Sequence, residues 1–86
     1  MKKLVQEVEN EGLEKLMGET VTLFCLNYFY NGQLVGVNDD CVLISKPKII
    51  YETGAWSDSS WKDAQCMGID ELYIQKQAIE SFARTK

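Results

Sequence analysis

The chain has 86 residues with 9 Lys+Arg against 13 Asp+Glu, a net charge of −4, and no histidine. At this length one domain is expected, and folding buries only about 60% of the surface that the unfolded chain exposes, so help from beyond its own core is expected. The missing histidine excludes Ser-His-Asp and Cys-His catalysis and His-containing zinc sites, and the acidic balance confines any nucleic-acid site to a local patch.

From Leu4 to Met17 apolar residues recur at three- and four-residue steps (Leu4, Val5, Val8, Leu13, Leu16, Met17), the stripe of an amphipathic helix. Asn10 suits an N-cap and Gly18 a C-terminal stop, which predicts a short helix over about residues 11–17 behind a looser start. After Gly18 the period changes to two. Val21, Leu23 and Cys25 point one way and Thr22, Phe24, Leu26 and Tyr28 the other. Both sets are largely apolar, so this strand is expected to be covered on both faces or to lie at a subunit contact.

Two further strands are predicted over residues 33–38 and 41–51, where β-branched and aromatic residues are enriched. Pro47 has no N–H and marks an edge or a bend in the second of them. Asn31-Gly32 is a strong hairpin dipeptide. The competing reading puts the turn near Asn27-Tyr28 and leaves Gly32 and Gly36 inside the strand, where missing side chains let a sheet bend.

Residues 53–65, rich in Gly, Ser and Asp, form the one clear long loop, followed by two short strands at Leu72–Ile74 and Ile79–Phe82. One helix and then about five strands, with no helices between them, require an antiparallel sheet, which is expected to bend into a small barrel.

The uncharged stretch from Thr20 to Asn38 is interrupted by Asn27, Asn31, Gly32, Gln33 and Gly36 and fails as a membrane span. Lys2 and Lys3 are followed by Gln6, Glu7 and Glu9 rather than by an apolar core, unlike a signal peptide. Cys25, Cys41 and Cys66 contain no CxxC pair and leave an odd thiol, which points to a reducing cytoplasm, with Cys25 and Cys41 as small buried hydrophobes.

With these elements in place, Tyr30-Asn31-Gly32-Gln33-Leu34-Val35-Gly36-Val37-Asn38 resembles the first signature of Sm-like proteins: aromatic, any, Gly, any, Leu, any, often Gly, apolar, then Asp or Asn. Gly12-Leu13-Glu14-Lys15-Leu16 followed by Val21-Thr22-Leu23-Phe24 is similar to the family's short helix entering its first strand. Lys76-Gln77-Ala78-Ile79 resembles the Lys-His-Ala-Ile of the bacterial Hfq branch more than the Arg-Gly of the eukaryotic and archaeal branch.

The resemblance implies a short N-terminal helix on a strongly bent antiparallel sheet of about five strands, joined edge to edge with copies of itself into a ring of about five to eight subunits. It also implies binding of short single-stranded RNA at the inter-subunit loops, as in an RNA chaperone.

Five residues are candidates for RNA contact. Asn38 takes the place of the Asp or Asn that orients the base-contacting loop, and its plainer role is that of a turn former. Asp40 falls where many relatives carry a base-stacking residue, which a carboxylate cannot replace, and Val42 replaces the Asn that bonds the base in the Sm branch. Gln75 sits at the position of an Arg or Tyr. Lys76 suits phosphate or a base oxygen and Gln77 a base edge, or the two form a solvated pair between strands.

Asp39 with Asp40 would make an acidic band around a ring, and a solvated acidic turn is the simpler reading. Trp56 and Trp61 in the long loop read equally as partner anchors and as the loop's own small core. These two carry the alternative function, a ring-shaped scaffold or protein-interaction module with little RNA affinity. Nothing in the sequence indicates a cofactor, a metal site or an enzyme.

Overall fold

The computed structural model describes residues Gly12–Lys86. The apolar stripe from Leu4 to Val8, the Asn10 cap and Glu11 lie outside the described residues. In place of an α-helix over 11–17 there is one 3-10 helix, Gly12–Leu16. Gly12 and Gly18 bracket it with φ of 63° and 85°. A segment between two left-handed glycines is too short for an α-helical hydrogen-bond ladder. Its Leu16 is nonetheless buried in the core, with Leu13 packed against it.

Six strands follow: β1 (Thr20–Cys25), β2 (Phe29–Val37), β3 (Cys41–Glu52), β4 (Asp63–Cys66), β5 (Glu71–Gln75) and β6 (Ile79–Arg84). They form one mainly antiparallel sheet in the order β4-β3-β2-β1-β6, with β5 also paired to β3. Among the described residues the sheet does not close: β5 pairs with β3 and β6 with β1, and the two do not pair with each other.

The expected strand at Leu72–Ile74 is β5, and the additional strand is β4, which forms at the end of the expected long loop. β4 and β5 lie in sequence along β3, opposite Ile49 and Leu43 respectively, and the break faces Lys46 and Pro47. Lys46 has φ 49° and Pro47 has no N–H, so β3 bulges there. Two backbone bonds hold the chain across the break, Met67 N–H to Pro47 O at 3.1 Å and Lys46 N–H to Asp70 O at 2.7 Å. Pro47 therefore marks a bend in a strand paired on both sides, and β4 takes up the last residues expected in the long loop.

Asn31-Gly32 is not a turn. The β1–β2 turn is Leu26–Tyr28, closed by Cys25 N–H to Tyr28 O at 3.1 Å. Gly32 and Gly36 lie within β2 beside its two register shifts against β3. A Cβ on Gly32 would meet Ser45 O at 3.0 Å and the Ile44 side chain at 3.1 Å, so glycine permits the close strand approach at this bend.

The core is built from Val21, Leu23, Cys25, Leu34, Val42, Ile44 and Ile74, with Leu16 packed among them. The other face of β1 is covered as well. Thr22 is only 1% exposed, and Phe24 packs against Phe29, Trp56 and Trp61. Ile50, paired with Phe29, is buried apart from the main core. Loop residues 53–62 thus supply the second cover that the two apolar faces of β1 require.

Candidate nucleic-acid interface

Asn38 follows β2 and organises the turn into β3. Its Oδ1 accepts from the N–H groups of Asp40 and Cys41, both at 2.8 Å, and its own N–H donates to Cys41 O at 3.0 Å. An Asn side chain accepting from the backbone two and three residues on fixes such a turn without a buried contact. Asp39 and Asp40 are consequently held at the exposed tip.

The second segment arrives along β5. Gln75 is paired with Cys41, and the chain then turns through a 3-10 helix, Lys76–Ala78, into β6. The N–H of Lys76 donates to Asp40 O at 2.8 Å. The structure thereby brings Asn38, Asp40, Gln75, Lys76 and Gln77 to one end of the sheet. Gln75 and Gln77 are exposed and Lys76 is half-buried. The end carries one ammonium, three amides and the carboxylates of Asp39 and Asp40. It offers donors for a base edge or phosphate, and none of the five candidate residues carries an aromatic ring for stacking. Val42 points into the core and makes no polar contact there.

Trp56 and Trp61 are not part of that end. Trp61 Nε1 donates to Thr22 Oγ1 at 3.2 Å and to Thr85 Oγ1 at 3.3 Å. Thr22 in turn donates to Thr85 Oγ1 at 2.8 Å, and the Asn31 amide donates to the same hydroxyl. This network satisfies the buried Thr22 hydroxyl, and it escaped the sequence reading. A threonine alternating with apolar residues in an otherwise well-covered strand, together with a tryptophan in the loop, is the signal that it left.

A concavity of about 300 Å³ opens between the β1–β2 turn and β5, lined by Cys25, Leu26, Tyr28, Tyr30, Leu72 and Ile74. Burial pushes the Cys25 thiol and the Tyr30 hydroxyl up from their ordinary pKa ranges, and for Tyr30 the neighbouring Cys25 and Tyr28 add to the shift. Cys41, expected to be buried, is half-buried at the start of β3, and Cys66 is exposed. All three thiols are free.

No helix among the described residues is long and apolar enough to cross a membrane. Compared with family models, curated proteins and solved structures, the chain matches none.

Proposed function

We propose that the chain is an Sm-like, Hfq-like subunit that assembles with copies of itself into a ring and binds short single-stranded RNA at the end where the β2–β3 and β5–β6 turns meet. The observation that carries the reading is the Lys76 N–H to Asp40 O bond, because it joins the two segments whose sequences resemble the family's signatures. The Asn38 turn supports it by presenting the backbone of residues 38–41 in a fixed form.

Ring assembly draws support from the open sheet. β5 and β6 each leave an edge unpaired among the described residues, and head-to-tail pairing of one copy's β5 with another's β6 would close those edges and cover the apolar concavity beside β5. The resemblance implies a ring of about five to eight subunits, closed by symmetric repetition of that contact. The free thiols favour the cytoplasm as the place of action.

Labelled oligo-U and oligo-A in a fluorescence anisotropy titration test the RNA reading. Binding that weakens with added salt and competes with unlabelled RNA is the expected result. A flat titration would remove the RNA role.

One observation favours the scaffold reading. Trp56 is 64% exposed, as a partner anchor would be, while the acidic tip at Asp39 and Asp40 opposes phosphate.

A further inference from the structure

The two tryptophans stand at 88° to one another with ring centroids 5.6 Å apart, and Phe24 packs beneath both, 6.1 Å from Trp56 and 6.0 Å from Trp61. The Lys86 ammonium is already seated in the corner they form, 4.3 Å from the Trp61 centroid and 5.6 Å from that of Trp56. Its Nζ also donates to Trp56 O at 3.0 Å and to Ala55 O at 3.4 Å. Two perpendicular indole faces attract a cation through their negative faces, and two carbonyl oxygens add directional acceptors.

We propose that Trp56, Trp61 and the carbonyls of Ala55 and Trp56 form a cage for a primary alkylammonium group, occupied within the chain by Lys86 and open to a lysine-type side chain from another molecule when Lys86 leaves. It rests on residues distinct from those of the RNA reading and goes beyond it.

The walls differ in freedom. Trp61 is fixed by its bonds to Thr22 and Thr85, whereas Trp56 is largely exposed and forms the entrance. The loop carrying them keeps its shape through bonds of its own. Lys62 N–H donates to Thr53 O at 3.3 Å across the base, and Asp58 exchanges bonds with Ala55 at 3.0 and 3.2 Å. The carbonyls also set specificity. They accept from a donor hydrogen, which a primary ammonium carries and a quaternary one lacks, so the primary ammonium is preferred and the quaternary one would use the aromatic faces alone.

The chain's 2 tryptophans both line the cage, so indole emission reports on it alone. The test titrates n-butylammonium, tetramethylammonium and neutral 1-pentanol against the unaltered chain and Lys86→Gln. The expected result is a saturable change with n-butylammonium in both proteins. In Lys86→Gln half-saturation should come at a roughly tenfold lower concentration, because the tethered lysine no longer competes. Tetramethylammonium should bind more weakly and 1-pentanol should have no saturable effect.

Equal responses to n-butylammonium and 1-pentanol, or a response that survives Trp56→Ala in the Lys86→Gln background, would overturn the cage. The unaltered chain gives an independent arm. The ε-CH2 protons of Lys86 should resonate upfield under the indole rings and return toward ordinary values as n-butylammonium is added. Unshifted protons at the outset would overturn the proposal without any variant.

Discussion

The backbone N–H of Lys76 donates to the carbonyl oxygen of Asp40 at 2.8 Å, tying the turn after β5 to the turn before β3. The tie uses main-chain atoms only, so the Lys76 side chain is free to act without holding the turns together. Lys76→Ala should therefore weaken oligo-U or oligo-A binding by about tenfold, the loss of a charge-assisted contact. The unfolding free energy from urea denaturation should stay within about 0.5 kcal/mol of the parent. Anisotropy and urea unfolding on the same preparation check both, and unchanged affinity would remove Lys76 from the site.

Asn38 supplies the acceptor for two backbone N–H groups. Asn38→Ala should cost about 1 kcal/mol, since water replaces part of what an exposed turn loses. Asn38→Asp keeps an oxygen in the same place and should be close to neutral in stability. Urea denaturation distinguishes them, and an equal loss in both variants would mean that acceptance by Oδ1 is not what holds the turn.

Period and punctuation made much of this fold readable. The two-residue alternation in Val21, Leu23 and Cys25 matches the core face, and the first three strands appear in the expected order. Their edges were harder to read, as was β4, which forms where the end of the long loop was expected. Asn31-Gly32 favours a hairpin locally, yet the tight packing of Gly32 against Ser45 and Ile44 places it mid-strand, a relation visible only once β3 is in place. The placing of β4 beside β5 along one strand depends on the bulge at Lys46 and Pro47 in β3. The candidate interface was legible as two separate segments, while the bond joining them lies in the backbone, which side-chain identity does not encode. The seating of Lys86 against Trp61 and Trp56 joins residues far apart in sequence, with no local pattern to announce it.

Gly32 and Gly36 offer a paired test of the bend. A methyl at Gly32 would sit 3.0 Å from a backbone oxygen, whereas at Gly36 the nearest atom is Leu43 Cβ at 3.4 Å. Gly32→Ala should destabilise by about 1–3 kcal/mol, the usual cost of overpacking. Gly36→Ala should change stability by less than about 1 kcal/mol. Thermal melts followed by circular dichroism should rank them in that order, and the reverse ranking would contradict the register.

Alkaline pH should weaken the fold. Cys25 and Tyr30 have folded pKa values raised by burial, so both remain protonated in the folded chain after the unfolded chain has begun to ionise. From about pH 8.5 upward the folded state holds more protons, and stability must fall as pH rises until the folded groups ionise in turn. The urea midpoint should be lower at about pH 10 than at about pH 8, and Cys25→Ala should make that decline shallower. A midpoint that rises over this range would contradict the sign.

The most direct test of the central claim is native mass spectrometry of the purified chain, alone and with short oligo-U and oligo-A. The expected result is one discrete assembly of about five to eight subunits that gains an oligonucleotide and loses it in Lys76→Ala. A monomer would contradict the ring, and an intact ring that takes up neither oligonucleotide would contradict its RNA role.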